Sequence, residues 1–131
     1  MFDDRYEAFR KCMDAVEPAQ GLAAYVDRYL AVRHRDRPHK GCPLPSLSGD
    51  LARMPAAARK RFEAGTRRLT DSIADVLRAM KRPDPDALAA SVLSEMVGAM
   101  AIARAVSNNG WSEHILKAAR DSIKARIGLV A

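Results

Sequence analysis

One segment of the sequence constrains the fold more than any other, because it predicts a long helix that is apolar on nearly every side. Between Ala87 and Val106 the only ionised residues are Glu95 and Arg104. Most other positions carry small side chains, among them Ala89, Ala90, Gly98, Ala99, Ala101, Ala103 and Ala105. Such a helix must be covered on several sides. It is therefore either the central helix of one chain's core or part of an interface with a partner subunit.

The composition favours a small, helical, cytoplasmic domain. The chain has 131 residues, of which 24 are Ala and 16 are Arg, and only 5% are aromatic, so one domain poor in strand-forming residues is expected. Asp3 and Asp4 stand where a signal peptide needs a basic start. Two cysteines, Cys12 and Cys42, suit a reducing cytoplasm. The charge-free runs are far shorter than the roughly 20 residues of a membrane helix, so no membrane span is expected.

Apolar periodicity and helix-boundary residues predict an all-α fold, an antiparallel bundle of five long helices and one short helix. The long helices are expected at residues 3–16, 18–34, 55–82, 84–106 and 112–127, with Ser112 as the cap of the last. The short helix is expected to begin at Ser46 or Ser48 and to end near Arg53. Three prolines and a glycine between residues 35 and 45 predict a loop.

Motifs of metal sites and enzymes are missing from the sequence. Four residues of metal-ligand type lie within nine positions, namely His34, Asp36, His39 and Cys42. Their spacing matches no familiar zinc pattern, so no metal is expected. The sequence contains no GxSxG, P-loop or HExxH motif, and we expect neither catalysis nor a cofactor.

Two features of the apolar helix need separate interpretation. Glu95 is either paired with a basic residue such as Arg104 or serves as a polar anchor in a ligand cavity. Ser94 and Gly98 have the spacing of a helix-turn-helix, but no turn is expected inside this helix. The sequence therefore predicts no DNA-reading module.

An ordered set of motifs resembles a known family. The sequence contains HRD at 34–36, GCP at 41–43, DLAR at 50–53, VGAMAIARAV at 97–106 and HILKAAR at 114–120. In this order they resemble the C-terminal half of bacterial transcriptional regulators of the TetR, or tetracycline-repressor-like, family. The similarity covers most of the chain.

The resemblance implies that residues 1–131 form the effector-binding and dimerisation domain of a regulator, expected to be a repressor. In such proteins the last two helices of each subunit form a four-helix dimer interface, and an N-terminal helix-turn-helix unit binds operator DNA. We expect no segment of residues 1–131 to form that unit. The expected partners are a second copy of the chain and an unidentified small effector, which is apolar or amphipathic, with DNA bound only through the missing unit.

The resemblance and the residue types together predict two sets of site residues. Those expected to line the effector cavity are Phe9, Met13, Tyr25, Tyr29, Phe62, Leu69, Glu95, Met96 and Met100. Those expected in the dimer interface are Gly98, Ala101, Ile102, Ala105, Ile115, Ala119 and Ile123. Each apolar effector residue is alternatively an ordinary core residue. The alternative functions are a helical homodimeric interaction module without a ligand and a small helical enzyme.

The charge distribution generates a prediction about DNA. Residues 28–68 contain 11 basic and three acidic residues, a net charge of +8. Because no groove-reading helix accompanies them, we expect this chain alone to bind duplex DNA weakly, without sequence preference and with a steep dependence on salt. Fluorescence anisotropy with two unrelated duplexes at low and physiological salt measures this. A footprint at a defined site at physiological salt would contradict it.

Overall fold

The computed structural model describes residues 2–14, 16–37, 53 and 55–128. Within these ranges the chain forms helices and no strands. The helices are α1 (Phe2–Met13), α2 (Pro18–Tyr29), α3 (Val32–Arg35), α4 (Ala56–Ala79), α5 (Pro85–Ala105) and α6 (Asn109–Arg126). The all-α class and the five long helices are thereby confirmed. The short helix expected before residue 53, and most of the loop expected at 35–45, lie outside the described residues.

The prediction that the second helix continues to His34 is wrong. α2 ends at Tyr29, Ala31 is extended with ψ of 150°, and the separate short helix α3 follows. The carbonyl groups freed by this break are bound by side chains from other parts of the chain. Arg120 donates to the backbone oxygen of Leu30 at 2.6 Å, and Arg104 donates to that of His34 at 3.0 Å. These long-range hydrogen bonds offset the loss of helical hydrogen bonds. The apolar periodicity of the sequence does not indicate them.

The start of the last helix also differs from its prediction. The helix begins at Asn109 rather than after Ser112, because the side chain of Asn108 accepts a hydrogen bond from the backbone of Trp111 at 2.8 Å. Ser112 lies inside α6 and is buried, and its hydroxyl donates to the carbonyl oxygen of Ala103 at 2.7 Å. The expected cap is thus a contact between α5 and α6.

The connection between α4 and α5 is a tight turn. Lys81 and Asp84 both have positive φ, at 58° and 49°, which non-glycine residues seldom adopt. Pro85 occupies the first helical positions of α5, as expected. Asp84 precedes it at the cap position, but its side chain makes no capping hydrogen bond. The turn directs α5 back along α4.

α5 is the central helix of the domain. It packs against α4 and α6 and also contacts α3. Its buried residues form one stripe, consisting of Ala89, Val92, Leu93, Met96, Ala99, Met100 and Ala103. With a mean hydropathy of 1.5, α5 is long and apolar enough to cross a membrane, which its short charge-free runs did not indicate. This is weak evidence for a span, because the core helix of a folded domain has the same composition.

α1 and α2 approach each other closely at Gly21. A Cβ atom at this position would lie 2.7 Å from the backbone oxygen of Cys12 and 2.8 Å from the sulfur of Met13. Real Cβ atoms essentially never come so near to other heavy atoms. Glycine is therefore required here for the spacing of the two helices.

We expect Gly21→Ala to destabilise the domain by about 1–2 kcal/mol, because overpacking outweighs the gain in helix propensity. Chemical denaturation monitored by circular dichroism measures the change. Gln20→Ala, at the exposed neighbouring position of α2, is the control and should leave stability nearly unchanged. Equal or higher stability of Gly21→Ala would show that α1 moves away from α2 without cost.

Candidate functional site

An aromatic series connects α1, α2 and α3 through the interior. The ring of Phe9 meets the ring of Tyr25 edge to face, with centroids 5.1 Å apart. Tyr25 and Tyr29 follow at 6.2 Å, and Tyr29 contacts the ring of His34 at 4.7 Å. The Nδ1 atom of His34 also lies 2.7 Å from the backbone oxygen of Tyr29. A displacement of any of these rings therefore requires its neighbours to move.

The structure brings most of the expected effector residues into one apolar cluster. Six of them are buried there: Phe9, Tyr25, Tyr29, Leu69, Met96 and Met100. Met13 and Phe62 are partly buried and pack against the same cluster. The expected residues come from α1, α2, α4 and α5, and Leu116, Ala119 and Ile123 of α6 complete the cluster. Its residues are the core of the domain, so their role as ligand contacts stays a prediction.

Glu95 lies outside this cluster. Its carboxylate is about one-third exposed and faces α6, where its Oε1 atom lies 3.5 Å from Nη1 of Arg126. Its Oε2 atom is buried and has no hydrogen-bond partner among the described residues. The structure therefore contains the ion pair that the first interpretation expected. The basic partner of Glu95 is Arg126, whereas the sequence suggested Arg104 as one example. The role of Glu95 as an effector anchor stays a prediction.

A cation–π contact that the sequence did not suggest holds α1 against α4. The guanidinium carbon of Arg68 lies 3.7 Å from the centroid of the Tyr6 ring. A hydrogen bond from Arg10 lowers the pKa of the Tyr6 phenol, and Arg68 acts in the same direction. The residues are 62 positions apart, so no local pattern could have indicated their pairing.

α5 and α6 share a surface of small and apolar side chains. On this surface Ile102 is 50% exposed and Trp111 is 54% exposed. Gly98, Ala101 and Ile115 are partly exposed, and Ala105 is exposed. Ala119 and Ile123, by contrast, are buried in the core of the same chain. Their assignment to a dimer interface stays a prediction, and Trp111 is an exposed apolar residue that the sequence reasoning did not include.

A polar cavity of about 360 Å³ lies where the end of α3 meets the turn between α5 and α6. Its polar lining residues are Arg35, Asp36, Arg104, Ser107, Asn109 and Ser112. None of the expected effector residues lines it. Sequence reasoning missed this cavity, because its walls come from segments about 70 residues apart.

Side-chain hydrogen bonds hold the walls of this cavity together. Nη1 of Arg35 donates to Oδ1 of Asn109 and to Oγ of Ser112, both at 2.9 Å. Nε of Arg104 donates to the backbone oxygen of Arg35 at 3.2 Å. The described residues contain no group of three metal-ligand side chains, here or elsewhere. The cavity can therefore offer hydrogen-bond donors and positive charge to a ligand.

Most of the chain matches the model of a known protein family. The family described as tetracyclin repressor-like, C-terminal domain, matches residues 18–119, from the first turn of α2 to the middle of α6. The chain belongs to the TetR family. TetR-family domains of this type typically dimerise and bind small-molecule effectors, and the regulators bind DNA through their N-terminal domain. The match includes α2, α4 and α5, which build most of the apolar cluster, and the α5–α6 surface up to Ala119.

Proposed function

We propose that this chain is the effector-binding and dimerisation domain of a cytoplasmic TetR-family repressor. The observation that carries the proposal is the apolar cluster, in which side chains from α1, α2, α4 and α5 converge. Two tyrosines and several methionines are adaptable contacts for an apolar or amphipathic molecule. We assign this domain no catalytic activity of its own.

The effector would act by favouring one arrangement of the helices over another. A ligand shifts such an equilibrium only by its differential affinity, and a tenfold preference corresponds to about 1.4 kcal/mol. α1 is the element that would follow a DNA-binding unit in a TetR-family regulator. Two contacts would transmit a change to it, because Phe9 of α1 packs on Tyr25 and Tyr6 packs on Arg68 of α4. A small rotation of α1 would then alter the spacing of the two DNA-reading units in a dimer.

The dimer would form through the α5–α6 surface. The small side chains of Gly98, Ala101 and Ala105 allow close approach of a second helix. Ile102 and Trp111 supply exposed apolar area near the turn between the two helices. Two copies of one surface related by a two-fold axis make a closed interface, which is the commonest arrangement of homodimers.

We expect Ile102→Asp and Ala101→Glu to dissociate the dimer, raising its dissociation constant at least about tenfold because a charge would be buried without a partner. Light scattering coupled to size exclusion at tens of micromolar protein measures the mass. Ala64→Glu, which adds the same charge at an exposed position of α4, should remain dimeric. A wild-type monomer at this concentration would contradict the proposed interface.

We expect Met96→Ala to weaken effector binding at least about tenfold while the dimer remains intact, because the substitution removes a proposed ligand contact from the apolar cluster. Tyr29→Ala should act similarly, and Tyr29→Phe separates the contribution of the hydroxyl from that of the ring. The probes are the best binders from a thermal-shift screen of apolar and amphipathic compounds, followed by calorimetry.

The control is Met80→Ala, which removes a partly buried methionine that is outside the expected effector set. Equal losses of affinity at Met80 and Met96 would mean that general destabilisation is being measured. If no compound binds and the apolar cluster contains no void, the domain is a dimerisation module without an effector.

A further inference from the structure

The cavity at the α3, α5 and α6 junction differs in polarity from the apolar cluster. Its volume of about 360 Å³ is within the range of small-molecule pockets. Two arginines and one aspartate line it, which leaves a formal charge of +1. The first turn of the 18-residue helix α6 borders the same space and adds its partial positive charge. The lining therefore favours an anion over a neutral or apolar molecule.

Arg35 presents the most suitable group for binding such an anion. Its side chain is only 14% exposed, and its Nη1 atom is held by Asn109 and Ser112. The guanidinium is thereby fixed in orientation, with its Nε and Nη2 edge left to face Asp36. The Nε and Nη2 edge of a guanidinium matches the planar geometry of a carboxylate.

Asp36 already demonstrates the fit of a carboxylate at this edge. Its Oδ1 accepts from Nε of Arg35 at 2.9 Å, while its Oδ2 lies 3.5 Å from Nη2. The second contact is long, so the pair is not tightly bidentate. The Asp36 side chain is 59% exposed, whereas that of Arg35 is 14% exposed, so the Asp36 carboxylate regains its hydration when it turns away from Arg35. A carboxylate from solution can therefore replace it without leaving the mostly buried guanidinium unpaired.

We propose that a small carboxylate-bearing molecule binds in this cavity, on the Nε and Nη2 edge of Arg35 that Asp36 now occupies. Arg104 contributes a second positive charge, and the hydroxyl of Ser107 contributes a hydrogen-bonding group. The site is separate from the apolar effector cluster and does not depend on the proposed effector. Its ligand would join α3 to the α5–α6 turn, next to the surface on which Ile102 and Trp111 lie.

The test uses two exposed lining residues with opposite changes of charge. Asp36→Asn removes the competing carboxylate, and we expect it to tighten malonate binding roughly threefold to tenfold. Ser107→Asp adds a negative charge to the cavity and should weaken binding by a similar factor. Asp71→Asn, an exposed position of α4, makes the same change of charge as Asp36→Asn and should leave the affinity unchanged.

Malonate is titrated into the isotope-labelled full chain, and the NMR chemical shifts of the backbone amides at residues 35–36 and 103–112 report binding. Inorganic phosphate and chloride at matched ionic strength are the comparison arms. The proposal requires that malonate binds more tightly than either. Equal responses to all three salts would show charge screening only and would overturn it. Tighter binding of phosphate, or no gain of affinity in Asp36→Asn, would also overturn it. None of these outcomes bears on the apolar effector, whose contacts lie at other residues.

Discussion

The rest of the structure depends on how α5 is covered. A helix with so many small and apolar residues is not stable when it is surrounded by water and must be covered by other helices. The buried stripe of α5 packs against α4 and α6. Because Ala89, Ala99 and Ala103 are small, the neighbouring helices come near enough for larger side chains such as Met96 and Met100 to fill the space between them. The opposite side of α5 carries small residues that are exposed or partly exposed, among them Ser94, Gly98, Ala101 and Ala105. One helix thereby contributes to the apolar cluster and also carries part of the surface that we propose for dimerisation.

The helices that could be predicted are those whose signals are local. Apolar spacing and prolines at the first turn are properties of neighbouring residues, and α1, α4 and α5 follow them. The break after Tyr29 depends instead on Arg104 and Arg120, which bind carbonyl groups about 70 to 90 residues earlier in the chain. Apolar periodicity does not predict helix boundaries that depend on such long-range hydrogen bonds.

The same distinction applies to the candidate sites. The aromatic and methionine residues converge because each lies on the apolar stripe of its own helix, which sequence spacing reveals. The polar cavity requires that Arg35 reaches Asn109 and Ser112, and this follows only from the way α3 docks on α6. Ser112 illustrates the difficulty, since a serine before an apolar run is typical of a helix cap, whereas here the hydroxyl joins two helices. A polar residue has several possible partners, and its local sequence does not choose among them.

The ion pair between Glu95 and Arg126 limits how two α5–α6 surfaces can associate. Gly98 is three residues after Glu95 and on the same side of α5, so a dimer packed on Gly98 also approaches the ion pair. In the single chain the two side chains are 35% and 33% exposed and 3.5 Å apart, which leaves part of their hydration in place. Covering them with apolar surface would remove that hydration, and an ion pair seldom repays the full cost. Dimer orientations that leave the pair at the rim are therefore favoured over those that bury it. In the proposed interface the pair would contribute specificity, while Ile102, Trp111 and the small residues would contribute affinity.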